Sequence, residues 1–356
     1  MFGSFFIFSL KILTMDENYS KKDYNFIGFT SILISLIGLI ASFFTCKIIN
    51  SQDDFRESNN ILQEICWNIK PLYLNIGWGR GAFDVWEVFT LGLLLVGGII
   101  FFLKKGKDTR LIAFVFSMML LSNIIVIINI VHFFFFVRTQ NPGWAAAVSW
   151  ISYVFSLVAI VYIVVSYKIL RIINRRKVLD IQQTERSTKI TDTPKWQRFF
   201  HFLIDTLVMG LILNSLLFRI FETHLKHSEF FQSNMNNKFT ILLVIMIFRF
   251  LYYPFYEIVF GKSPAKFLTE SRLVSSKAEK PSASSVFTRT LCRNIPFNPF
   301  SFLWYTGWHD SLSETYVVKE KREGYKTSRL LWIIPVFTVY MIAYYYGKDL
   351  QYFILY

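Results

Sequence analysis

IGFTSILISLIGLIASFFTC, residues 27–46, decides the fold. An uncharged run of this length matches the roughly 20 residues an α-helix needs to cross a hydrocarbon core of about 30 Å. Within that core the backbone must satisfy its own hydrogen bonds, which a helix does internally. Similar blocks recur along the chain, and with the first they occupy 26–46, 86–103, 111–137, 145–167, 199–220, 239–260 and 330–347. The third, with IAFVFSMMLLSNIIVIINIVHFFFFV, is long enough to tilt. The last is short and tyrosine-rich. Composition agrees: 53% of the 356 residues are hydrophobic, 39 are Phe, and mean hydropathy is +0.40, beyond what a soluble domain needs.

Seven spans put the termini on opposite sides, and lysine and arginine choose which. With the N-terminus inside, the cytoplasmic segments hold 28 of the 38 basic residues and the outer segments 9; Arg249 falls within a span. The expectation is an all-α integral membrane protein of about seven transmembrane helices with a cytoplasmic N-terminus. The net charge of +14 is then a consequence of topology. It points to anionic lipid at a basic cytoplasmic face. Nucleic acid is not expected as a partner, since no nucleic-acid motif accompanies the charge.

The domain expectation is a cytoplasmic segment 1–23, a four-helix module 24–170, a basic linker 171–195 and a second membrane module 196–356 with a large cytoplasmic loop 261–329. The linker, within RIINRRKVLDIQQTERSTKITDTPKWQ, is charged, Thr-rich and closed by Pro194. No internal repeat is visible. Residues 1–14 are too short to span and lack a basic n-region or a small-residue cleavage site. Met15, opening MDENYSKKD, is the expected true start, with an interfacial N-terminal helix as the alternative. Cys46 and Cys66 share the outer side, but three dispersed cysteines including Cys292 form no disulfide framework. In the front module Trp67, Trp78 and Trp86 read as interfacial anchors, and Asn123, Asn129 and His132 as interhelical hydrogen-bonding groups.

The back module carries ionisable groups into the membrane. RFFHFLIDTL, residues 198–207, places Asp205 seven residues after Arg198, on one helix face about 10 Å further along. A carboxylate at the centre of a bilayer costs about 3 kcal/mol on insertion scales. The next span holds Arg249 near its middle and Glu257 near its cytoplasmic end. In an antiparallel hairpin, Arg198 falls level with Glu257 and Asp205 with Arg249. The expectation is a ladder of two ion pairs, serving either as a helix lock or as a gate that opens around Asp205.

Four further motifs follow in order. RFFHFLID opens a span; YYPFYEIVFGKSPAKFLTESRLV ends the next; RTLCRNIPFNPFSF and GWHDSLSETYVVK come after. This order resembles the RDD family of bacterial membrane proteins over about 196–320. The match is carried by Arg198 and Asp205, then Gly261, Ser263 and Lys266 of a Gly-x-Ser-x-Ala-Lys turn in which the family glycine is Ala265. Arg293 and Asn294 follow, then Trp308, His309 and Asp310 ahead of Thr315, Val317 and Val318. The resemblance implies a multi-pass protein of the bacterial cytoplasmic membrane with a suspected role in transport. SRLVSS (271–276) and TYVVK (315–319) are β-prone and are expected to pair as a small cytoplasmic hairpin. The segment between them, broken by Pro296 and Pro299, reads as an interfacial helix and an aromatic loop. Asp310 is then placed near Arg198, Arg289 or Arg293.

Two functions fit. One is passage of an ion or small solute, with a buried Asp205–Arg249 pair as gate and Arg198, Glu257, Arg293, His309 and Asp310 around it. The other is a non-catalytic scaffold or assembly subunit that binds a membrane-protein partner, a second copy or anionic lipid. An enzyme is not expected, nor any cofactor: no metal-ligand spacing, nucleophile elbow or phosphate loop occurs.

Overall fold

The computed structural model describes residues 19–50, 69–74, 85–140, 150–177, 179, 181–184, 187–190, 193–220, 238–276, 278–294, 308–321, and positions 333, 336 and 339. Among these, six helices are long and apolar enough to cross a membrane. They are α1 (Lys21–Asn50), α2 (Val85–Leu103), α3 (Arg110–Gln140), α4 (Trp150–Arg176), α5 (Lys195–Ile220) and α6 (Lys238–Phe260). The seventh expected span, 330–347, lies outside the described residues except for helical Ile333, Val336 and Val339. The Met1 or Met15 start, Trp67, Trp78, Cys66 and the side chains of Cys46 and His132 lie outside them as well.

The hub of the fold is α3, which packs against α2, α4 and α5. Ile112, Val115, Phe116 and Met119 on it are fully buried. Its neighbours carry apolar stripes outward at helical spacing: Phe29, Leu33, Leu36 and Ile40 on α1; Leu157, Ile160, Val161 and Val164 on α4; Leu243, Met246, Ile247 and Leu251 on α6. Facing lipid, those stripes need no protein cover. Helix association therefore leans on close approach and polar ties. At Gly28 of α1 a β-carbon would lie 2.3 Å from Cζ of Phe102 on α2, so a larger residue there requires the Phe102 ring to shift.

One segment breaks the helical pattern inside the front bundle. Residues 69–74, the described part of the stretch between α1 and α2, run mainly in irregular conformation, with Leu72 and Leu74 fully buried. Such backbone is tolerated within a membrane bundle only where protein or a cavity satisfies its polar groups. Here side chains do so. Asn123 donates to the Pro71 carbonyl (2.8 Å), the Tyr162 hydroxyl donates to the Ile69 carbonyl (2.8 Å), and the Tyr73 N–H donates to Ser122 Oγ (3.1 Å). Lys70 brings a buried charge that pairs with Glu87 at 3.2 Å, and the Ser42 hydroxyl donates to the same carboxylate at 3.2 Å. Asn123, expected as a tie between helices, thus holds an inserted loop. The Asn129 amide nitrogen is buried with no hydrogen-bond partner among the described residues.

Beyond α4 the polar stretch is structured at several points. Residues 171–176 extend α4, and β1 (Ile181–Thr184) pairs antiparallel with β2 (Ser187–Ile190). Lys177 pairs with Glu270 at 2.6 Å, and the Thr193 N–H and hydroxyl both donate to the Val317 carbonyl. The front and back halves are also knit in the apolar layer, where the Tyr256 hydroxyl donates to the Ser117 carbonyl at 2.6 Å.

After α6 the chain reverses at Gly261 and re-enters as the short helix α7 (Pro264–Thr269), packed on α3 and α5. Gly261 has φ +71°, a left-handed conformation that a β-carbon disfavours, although Arg272 Cγ would be only an ordinary 3.5 Å away. Next come β3 (Ser271–Ser275), α8 (Ala283–Arg293), α9 (Trp308–Ser313) and β4 (Thr315–Lys319). The expected hairpin is present: β3 and β4 pair antiparallel from Ser271↔Lys319 to Ser275↔Thr315. Ser282 caps α8 by accepting from the Ser285 N–H at 3.1 Å. This helix is amphipathic inside out. Arg289 and Arg293, one turn apart, are buried, while Phe287 and Leu291, also one turn apart, face outward. That polarity carries two guanidinium groups into the back module.

Candidate functional site

Seven of the expected charged residues converge where α5 begins, but with partners other than those read from the α5–α6 pair alone. Three buried carboxylates organise the cluster. Asp205, 2% exposed, accepts from the Ser263 hydroxyl (2.6 Å), the Ala265 backbone N–H (3.1 Å) and the Tyr252 hydroxyl (3.2 Å). These donors come from the first residues of the re-entering turn and from α6. They satisfy the carboxylate without a cation. The family turn therefore has a visible purpose here: Ser263 and Ala265 deliver donors to the acid of α5. Alanine in place of the family glycine at 265 is harmless, because it is the backbone N–H that makes the contact.

Glu257, fully buried on α6, forms ion pairs with Lys266 of α7 and with Arg293 of α8, the latter at 2.8 Å. Asp310 of α9 forms ion pairs with Arg289 of α8 and with Arg198 of α5, the latter at 2.5 Å. His309 Nε2 lies 3.7 Å from Asp310. Arg289 also donates to the Thr315 hydroxyl at 2.7 Å, which ties α8 to the sheet.

The two-rung ladder is thus replaced at both rungs. Arg198 joins Asp310 rather than Glu257, and Asp205 joins hydroxyl and amide donors rather than Arg249. No carboxylate lies within 4.0 Å of the Arg249 guanidinium among the described residues; it sits 5.8 and 5.9 Å from the ring centres of Tyr253 and Phe202. The physical reason is that elements outside the hairpin bring nearer partners: the 263–265 turn for Asp205, α7 and α8 for Glu257, and α9 for Arg198. A short, hydrogen-bonded contact to a nearby donor outcompetes a longer reach across the hairpin.

Four further participants carry no charge within an apolar run. Tyr252 is one aromatic among many in its span, and Ser263 and Lys266 belong to the turn motif. Arg289 entered only as one of three candidate neighbours of Asp310. Spacing could have flagged Arg289 with Arg293, an i, i+4 pair of arginines in an otherwise apolar helix.

A second cluster flanks the turn. Glu320 pairs with Lys262 at 2.7 Å and with Arg272 at 2.9 Å. Arg272 also donates to the Asn174 carbonyl and side-chain oxygen, both at 3.0 Å, which clamps the end of α4.

Burial sets the electrostatics of these non-spanning groups. It lowers the Lys266 ammonium to about 8 against the pull of Glu257, and the Lys262 ammonium to about 8 against Glu320. Burial and the Arg289 charge hold His309 well below the usual imidazole range, so it is neutral. For Asp310, burial is outweighed by Arg289 and Arg198; for Glu320, by Lys262 and Arg272. Both carboxyls are held below their ordinary values. The unfolded chain then binds more protons than the folded one in acid, so their contribution to stability is lost as pH falls below about 4. Unfolding in detergent followed from pH 7 to pH 3 is expected to show that loss. A midpoint unchanged down to pH 3 would contradict it.

Between these groups lies a cavity of about 70 Å³, lined by Arg198, His201, Asp205, Arg249, Tyr253, Lys266, Arg289, Arg293, His309 and Asp310 among others. At about 10–15 Å³ per water centre this is room for roughly five waters. Asp205 therefore borders a cavity lined by several charged side chains. Among the described residues no group of three metal-ligating side chains occurs.

Comparison with known proteins gives one match. Residues 193–348, somewhat under half of the chain, match the model of the RDD family. The match runs past residue 320 to 348, so the seventh apolar block, 330–347, falls within the same module. No curated protein and no solved structure matches the chain.

Proposed function

We propose, from the fact that residues 193–348 form an RDD-family module in a multi-pass membrane protein, that this module is a gate for a small charged solute. One observation carries the reading. A cavity rimmed by paired charges reaches Asp205 well inside α5, and Arg249 lines that cavity with no carboxylate within 4.0 Å among the described residues. Ionisable groups held at membrane depth beside a cavity are the usual elements of solute and proton pathways. In this arrangement Arg249 and Asp205 form the inner part of the path. Arg198, Asp310 and Arg289 form a latch at the end where α5 begins, the side that the basic-residue count assigns to the cytoplasm of a bacterial inner membrane. The Asp205 hydrogen bonds to Ser263, Ala265 and Tyr252 anchor the re-entering turn, so a shift of that turn would open the path.

The test is a flux assay in proteoliposomes with sodium, potassium, chloride and phosphate as separate probes. At least one is expected to move faster than in empty vesicles. Asp205→Asn and Arg249→Gln are each expected to slow it more than tenfold with an unchanged elution profile. Arg249→Gln is the cleaner variant, since it leaves no carboxylate unpaired. If none of the four probes moves faster than in empty vesicles, the gate reading fails. The scaffold reading, a module that binds a membrane-protein partner or anionic lipid, would then remain.

A further inference from the structure

The charges around the cavity do not balance. Asp310 is shared by two cations, Arg198 and Arg289, and Glu257 is shared by two more, Lys266 and Arg293. Arg249 adds a fifth cation, and Asp205 is the one remaining carboxylate. The cluster thus holds five cations against three acids. Counting Asp205 in full, and with its oxygens held by Ser263, Ala265 and Tyr252, two positive charges remain in excess. A surplus of buried positive charge is costly unless an anion shares the space.

A second observation points the same way. Arg289 is 1% exposed, and its Nε–H has no hydrogen-bond partner among the described residues. A buried guanidinium donor left empty in a native structure calls for a group that fills it. Guanidinium forks suit the paired oxygens of phosphate and carboxylate groups better than they suit a spherical ion. The cavity is also large enough for one such group.

We infer that the cavity binds an oxyanion of the phosphate type, held between Arg249 on α6 and the arginines of α8. The inference rests on the gate reading for its biological purpose, but its chemistry is tested by binding alone. Two sources share that chemistry, free inorganic phosphate and the phosphate of an anionic lipid headgroup, and the experiment separates them.

Full-length protein in nanodiscs of phosphatidylcholine is titrated calorimetrically with inorganic phosphate at constant ionic strength, and again in discs containing phosphatidylglycerol. Saturable binding is expected in the first discs, weakened at least tenfold by Arg249→Gln and less by Arg249→Lys, which keeps the charge but loses the fork. Undiminished binding in the second discs identifies free oxyanion as the occupant. Loss of phosphate binding in the second discs identifies the headgroup. Absence of saturable phosphate binding in phosphatidylcholine, or affinity indifferent to Arg249→Gln, overturns the inference. So does saturable sodium binding that Arg249→Gln leaves intact while phosphate gives none. Phosphate binding without flux of any probe would sink the gate and leave the anion site standing; sodium flux without phosphate binding would do the reverse.

Discussion

Replacing Glu257 with Gln is expected to destabilise the protein by about 3–5 kcal/mol, the range for breaking a buried ion pair by removing one partner. Glu257 is fully buried and is the carboxylate that pairs with both Lys266 and Arg293. Glutamine keeps the shape and one acceptor but leaves two buried cations facing each other. Lys266 can escape by losing its proton, since burial already lowers it to about 8. Arg293 cannot escape this way, because an arginine stays protonated in a protein. Its ring contact, 3.9 Å from the Tyr253 centroid, is too weak to replace the carboxylate. Adding Lys266→Met to Glu257→Gln is therefore expected to recover only part of the loss. Equilibrium unfolding in mixed micelles measures both variants. A loss below about 1 kcal/mol for Glu257→Gln would show that the group is not buried as a paired charge.

The second large effect is expected in the front module, with the opposite arithmetic. Lys70 and Glu87 pair within the buried core of the bundle, at 5% and 0% exposure. Lys70→Met alone takes this cation from the Glu87 carboxylate, and Glu87→Leu alone takes this carboxylate from the Lys70 ammonium. Each single change is expected to cost about 3–5 kcal/mol. Replacing both together, as Lys70→Met with Glu87→Leu, is expected to cost far less, because a well-packed apolar pair often matches a buried ion pair. The Ser42 hydroxyl, which donates to Glu87, would keep a modest residual cost in the double variant. Unfolding of the four proteins gives a coupling energy directly. Additive losses would show that Lys70 and Glu87 do not interact as the geometry indicates.

The two clusters differ in what one dimension of sequence reveals. The back cluster was half legible. Arg198, Asp205, Arg249 and Glu257 were marked by charge inside apolar runs, which is a strong signal because such residues are costly there. Their convergence with Arg293, His309 and Asp310 was legible through the family motifs. Their pairing was not. An index register assumes two straight helices alone, and here α7 and α8 supply closer partners from residues 263–266 and 289–293. The front cluster was nearly invisible. Lys70 stood in a long polar segment and Glu87 at the mouth of a span, positions where charge is ordinary. Nothing local shows that residues 69–74 enter the bundle, donate to Ser122 and accept from Asn123 and Tyr162.

The sequence by itself determined that this is a multi-pass membrane protein with apolar helices and that a module resembling the RDD family follows a polar stretch. Those conclusions follow from hydrophobic length and motif order, both properties of neighbouring residues. Only the tertiary structure decided which charge meets which, that Asp205 is held by a re-entering turn, that Arg249 is left to a cavity, and that the front bundle encloses an irregular loop. A contact between residues tens of positions apart depends on helix crossing and on what inserts between the helices. In a low-dielectric interior the nearest well-aligned donor takes the carboxylate.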